Sequence, residues 1–129
     1  MKRYFVISFV FCLLISSCNI LGDTKNELIK EDSDCNSKYK AVLFLKYAGA
    51  TSDNSIQVSI IKKQQKLNNK MGGNIFTADS DHGRTVIDNS SASFEWLSCD
   101  TLTVTYDSRL RIFNQQSIYK DFVIIYKTN

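Results

Sequence analysis

The chain contains no proline, a single histidine (His82) and only five glycines. Without proline, any exposed sheet edge has to be guarded by charge or by a covering loop. One imidazole leaves too few ligands for an ordinary zinc site, and Gly72 and Gly73 are not followed by the Lys-Ser/Thr of a phosphate loop. No Gly-x-Ser-x-Gly elbow occurs, so a serine hydrolase of that type has no nucleophile here. A sustained helical period is also missing, as is any apolar run of the roughly 20 residues that a membrane-spanning helix needs.

What the chain does have is a marked amino terminus. Lys2 and Arg3 precede an apolar run from Phe5 to Ile15, broken only by Ser8 and Cys12, and Ile15, Ser16, Ser17 and Cys18 close it. Positive charge, apolar run and small residues, in that order, make a cleaved export signal, and small residues ahead of a cysteine form a lipobox. Residues 1–17 are therefore read as a lipoprotein signal peptide, with Cys18 as the lipid attachment residue carrying a diacylglyceryl group through a thioether. The alternative is a plain signal peptide cut near Ser17 with an unmodified Cys18. Each buried methylene contributes about 0.8 kcal/mol and one acyl chain anchors only marginally, so two or more chains on Cys18 would hold the protein permanently. The expected location is a bacterial cell envelope, on the outer or cytoplasmic membrane, facing periplasm or exterior.

Cleavage leaves about 110 residues, enough for one hydrophobic core and too few for two. The formal charge of +3 belongs largely to Lys2 and Arg3. Nucleic acid is accordingly a poor partner, because phosphate binding wants a clustered basic surface. Residues 18–34 are rich in charge and poor in apolar side chains, and are expected to form a lipidated cysteine followed by a polar tether with a coil reach of roughly 20 to 24 Å. Residues 35–129 are expected to form the β-rich domain. Of the four cysteines, Cys12 leaves with the signal and Cys18 takes the lipid. Cys35 and Cys99 remain as the available pair, and an oxidising compartment predicts a disulfide between them. With about 64 residues between them, the loop-entropy model gives roughly 4 kcal/mol.

The body alternates short β-branched and aromatic runs with Gly, Asn, Asp and Ser clusters, which predicts an all-β fold: a small antiparallel meander or sandwich. Tyr39 to Tyr47 is apolar on both faces, as a central strand should be, and Ile56 to Ile61 and Thr101 to Tyr106 alternate. In the last of these, Thr101, Thr103 and Thr105 are expected to face water. One long strand is expected over Ile118 to Tyr126, and shorter ones over Asn74 to Thr77, Arg84 to Ile87, Ser93 to Leu97 and Leu110 to Phe113. Lys62, Lys63 and Lys66 would guard an edge.

Candidate sites are few. Asp79, Asp81 and His82 lie in one Asp-, Ser- and Gly-rich segment, which reads first as turn chemistry and second as an acid–base or metal loop. A calcium loop would need a ligand where Gly83 stands and a distal Glu where Ser90 stands. Glu95 and Asp100 are carboxylates that flank Trp96 and Leu97, and exposed charge is their expected role. Gly49, Ala50 and Thr51 form a small-residue loop that permits close backbone approach by a ligand. Gly49, Ala50, Thr51, Asp79, Asp81 and His82 together are the candidate binding loops. No catalytic residue, cofactor or metal is expected. The leading expectation is a membrane-anchored, non-catalytic binding module for an envelope component, a peptide or a partner protein, an immunity or inhibitor protein being one form of it. The alternative is a small envelope enzyme or metal-binding protein using the Asp79, Asp81 and His82 loop, and a third possibility is a structural spacer.

The segments Tyr39-Lys40-Ala41-Val42, Gly49-Ala50-Thr51, Gly73-Asn74-Ile75-Phe76 and Trp96-Leu97-Ser98, followed by Asp100-Thr101-Leu102, resemble in order a family of small bacterial lipoproteins of uncharacterised function. The resemblance implies a lipid-anchored β-domain and carries no reaction with it. Two turns that often hold proline in that family hold Cys35 and Cys99 here, which supports placing the two turns side by side. Ala48 stands where the family tends to have cysteine. The Trp strand leading into a Thr-Leu strand also resembles hairpins of propeller blades, although a whole propeller needs far more chain.

Overall fold

The computed structural model describes residues 23–49 and 52–129. Among these the chain forms nine strands: β1 (Lys25–Ser33), β2 (Tyr39–Tyr47), β3 (Ser55–Lys62), β4 (Phe76–Asp79), β5 (Ala92–Trp96), β6 (Thr101–Tyr106), β7 (Arg111–Gln115), β8 (Ile118–Tyr119) and β9 (Phe122–Thr128). They make a five-stranded sheet in the order β1-β2-β3-β4-β7 and a four-stranded sheet in the order β5-β6-β9-β8. One core joins the sheets face to face, a sandwich. Into it β2 sends Ala41, Leu43 and Leu45, β3 sends Ile56, Val58 and Ile60, and the smaller sheet answers with Phe94, Leu102, Val104, Phe122 and Ile124. Each larger side chain so buried contributes roughly 1.5 to 3 kcal/mol. Trp96 and Tyr39 pack against Phe122, and Tyr106 and Tyr126 against Phe76, so these rings belong to the core rather than to a ligand groove.

β2 is apolar on both faces because it has something on both. Its second set, Val42 and Phe44, packs with Ile61 under Leu67 and Met71 of the segment linking β3 to β4, which lies across the outer face of the larger sheet. That segment is fastened by side chains. Ser59 Oγ donates to Gly72 O at 2.8 Å, and the Asn74 amide accepts from Ile60 N at 2.9 Å and donates to Ile60 O at 2.8 Å, replacing a ladder partner. Lys46 Nζ and Asn26 Nδ2 donate to Met71 O at 2.8 and 2.9 Å. At Gly73 the crossing is so close that a Cβ would collide with the Phe76 carbonyl oxygen and with Thr77. Backbone cannot yield as a flexible side chain can, so Gly73→Ala is expected to destabilise the domain by about 3 kcal/mol, measured as a shift in urea midpoint at constant slope. A loss under about 0.5 kcal/mol, the size of an ordinary surface change, would contradict this close packing.

Several expectations are corrected. The tether fails from Lys25 onward: Lys25–Ser33 is strand β1, paired antiparallel with β2. Its charges reflect an edge position, and its sole apolar contribution to the core is Ile29, at a bulge where the register shifts between Leu28 and Lys30. The signal peptide, Cys18, Ala50 and Thr51 lie outside the described residues. Lys62, Lys63 and Lys66 guard no edge, since β3 lies between β2 and β4. Arg84 to Ile87 forms no strand. The expected long strand breaks at Lys120, where φ is 53°, and folds back as the β8–β9 hairpin. The expected all-β sandwich is present and the Trp strand does turn into the Thr-Leu strand as an antiparallel hairpin, the one parallel pair being β6 with β9. Thr103, flanked by Glu95 and Ile125 on the neighbouring strands, is buried rather than wet.

The expected disulfide is present. Cys35 sits in the β1–β2 turn and Cys99 in the β5–β6 turn, with Cα atoms 4.9 Å apart, so the bond joins the two sheets at one end of the sandwich. Buried Asp34 shapes the first turn, its Oδ1 accepting from Lys38 N at 3.0 Å and Tyr39 N at 3.2 Å. Asp100 shapes the second, accepting from Ser98 Oγ at 2.8 Å and Thr101 Oγ1 at 3.0 Å, which is turn chemistry rather than acid catalysis. Alongside, Trp96 Nε1 donates to Asp32 O at 3.1 Å and Lys30 Nζ to Phe94 O at 2.9 Å, tying edge strand β1 to edge strand β5.

Candidate functional site

Antiparallel register lays Asn26, Lys46, Ser55, Asp79 and Arg111 in one row across the larger sheet, at the end opposite the disulfide. The cover segment hides the β1–β3 half of this outer face. Over β3, β4 and β7 the face stays open as a groove of about 440 Å³, walled by Ser52 and Asp53 from the β2–β3 loop and by His82 from the loop after β4.

Asp79 is the anchor, 5% exposed at the end of β4. Arg111, opposite it on β7, grips both carboxylate oxygens, with Nε at 3.0 Å from Oδ1 and Nη2 on Oδ2. Arg111 Nη1 lies 2.9 Å from His82 Nε2. A guanidinium only donates, so Nε2 is the acceptor and the imidazole is the neutral tautomer with its proton on Nδ1. Burial pushes the Asp79 carboxyl up, but the Arg111 hydrogen bonds, the Asp81 N–H and the Arg111 charge outweigh it and hold Asp79 below the ordinary carboxylate range. The same hydrogen bond raises Arg111.

His82 reaches this position through a left-handed turn in which Asp81, His82 and Gly83 have φ of 51°, 59° and 78°. Asp and His tolerate that region better than most residues, and Gly83 has no Cβ to oppose it. Polar side chains hold the turn: Asp79 Oδ1 accepts from Asp81 N at 2.9 Å, Ser80 Oγ from Gly83 N at 2.9 Å, and Asp53 Oδ2 from His82 N at 3.1 Å. This is the turn chemistry read from the sequence. The structure adds that the turn walls the groove.

The two candidate loops are thus neighbours. Gly49, φ 75°, belongs to the loop that carries Asp53, and Asp53 touches the turn of Asp79, Asp81 and His82. Asp81 points away toward Arg84, at 3.4 Å. Arg111, Asp53 and exposed Phe113 were missed, because each is a single residue brought in by pairing across the sheet or between loops. The alternation of Arg111 and Phe113 one strand-period apart is the only local signal they leave.

Among the described residues, no three His, Cys, Asp or Glu side chains converge as a metal site. No family model, no curated protein and no solved structure matches the chain.

Proposed function

We propose that this chain is a lipid-anchored binding module of a bacterial cell envelope, attached through Cys18, which captures an envelope component or partner protein without acting on it chemically. The basic then apolar segment that ends at Ile15-Ser16-Ser17-Cys18 supports the anchor. The observation that carries the binding reading is the closed circuit of Asp79, Arg111 and His82. Both oxygens of Asp79 and Nε2 of His82 are committed to one guanidinium, so the groups an acid–base or metal site would need are already spent on holding the groove in shape. A preformed polar groove of this kind binds with little ordering cost. An immunity or inhibitor protein is the form of this function that predicts a tight stoichiometric partner.

Expression of the full chain in a bacterial host tests the anchor. The wild type is expected in the membrane fraction, resistant to high salt, with intact mass showing loss of residues 1–17 and gain of a diacylglyceryl group. Cys18→Ala is expected to move to the soluble fraction. Equal membrane retention of the variant, or an unmodified Cys18 in the wild type, would sink the anchor.

A further inference from the structure

We infer that the groove is a carbohydrate subsite turned toward the membrane that holds the chain, so that its ligand is a glycan displayed at the bilayer surface. The chemistry stands on the groove itself, and the direction rests on the lipid-anchor reading above.

Sugar recognition asks for fixed donors and acceptors a few ångströms apart, a flat apolar surface and little net charge. The groove has each. Phe113 stands 62% exposed at its margin, and the Arg111 guanidinium carbon lies 4.8 Å from the ring centroid, which fixes the ring in place. Arg111 has further Nη N–H bonds beyond those spent on Asp79 and His82, and His82 keeps an Nδ1 proton to donate. Asp53 uses Oδ2 for the His82 amide, and its Oδ1 has no hydrogen bond among the described residues. A carboxylate and a guanidinium edge side by side suit vicinal hydroxyls, which donate to one and accept from the other. Charge argues against an anion. Arg111 is neutralised by Asp79 and Arg84 faces Asp81, which leaves Asp53 as the surplus charge.

Direction follows from β1. At most about 18 Å of extended chain separates Cys18 from Asp23. Strand β1 begins at Lys25, opposite Tyr47, and the next row runs from Asn26 to Arg111. Crossing the sheet from β1 to β7 adds roughly 19 Å sideways, whereas the disulfide end lies roughly 30 Å further along the strands. A lipid on Cys18 therefore holds the groove end near the bilayer and the disulfide end away from it.

The test uses the full lipidated protein in vesicles of phosphatidylethanolamine and phosphatidylglycerol. Binding is read on an array of neutral glucose, galactose, mannose and N-acetylhexosamine oligomers. At least one class is expected to bind, with Phe113→Ala and Asp53→Asn each weakening it about tenfold while melting as the wild type does. A fluorophore on Ser52→Cys is expected to be quenched by headgroup-labelled lipid, and one on Lys63→Cys is not. Absence of sugar binding, or affinity unchanged in both variants, overturns the chemistry; equal quenching at the two positions overturns the direction. Vesicle flotation separates the two readings. Protein that floats and binds no sugar defeats this inference alone, and protein that fails to float defeats the anchor and the direction with it.

Discussion

Replacing Cys35 and Cys99 together with serine is expected to lower stability by about 3 kcal/mol and the thermal midpoint by roughly 10 to 15 °C. The bond closes a loop of 64 residues that contains strands β2 to β5, so its loss frees much of the unfolded chain. Little in the folded state makes up for it. At that corner, beside the Tyr39–Phe122 ring contact, the two sheets are joined by the Trp96 and Lys30 hydrogen bonds to the backbone of the facing edge strand. Calorimetry with and without reductant checks the assignment: reductant should lower the wild type to the level of the double variant and leave the variant unmoved. A variant melting within about 2 °C of the wild type, under 1 kcal/mol for a domain of this size, would show that the staple adds nothing.

Arg111→Met is expected to lower the urea midpoint at pH 7, and by much less near pH 3. The sign follows from Asp79. In the wild type its pKa is depressed, so its contribution is present above the ordinary carboxylate value of about 3.9 and is lost as pH falls through the folded value. Without Arg111, burial is opposed by little more than the Asp81 N–H, so the Asp79 pKa rises and the charged form loses most of the stabilisation it has in the wild type above about pH 4, while the neutral form loses none. Arg111 is partly open to solvent, which keeps the loss below that of a fully buried pair. Urea midpoints of both proteins from pH 3 to 8 should converge at the acid end. A gap independent of pH would mean that Arg111 acts by packing its stem, and Asp79→Asn in the Arg111→Met background should recover some of the loss at neutral pH.

Local pattern reached some of this molecule and not the rest, for reasons visible in single residues. Strands β2 and β6 were legible to their ends because each has apolar neighbours fixed by period and turns on both sides. β1 was not, since an edge strand that contributes only Ile29 to the core has the composition of a linker. β8 and β9 read as one strand because Lys120 and Asp121, a two-residue hairpin, look like surface positions within a longer run. At the site, Asp79, Asp81 and His82 were visible as a cluster in sequence. Arg111, which decides the charge of Asp79 and the tautomer of His82, stands 32 residues from one and 29 from the other. Its partnership exists only once β4 and β7 pair.

The place of Cys35 at the far end of β1 bears on what happens when the protein is pulled. Load applied from the amino-terminal side enters at Lys25 and strips β1 from β2 rung by rung, the direction in which paired strands resist least. The peel runs into a covalent stop just past Ser33, where Cys35 hands the tension to Cys99 and the opposite sheet. A chain pulled from its amino-terminal side can lose its first strand and still keep the sandwich shut.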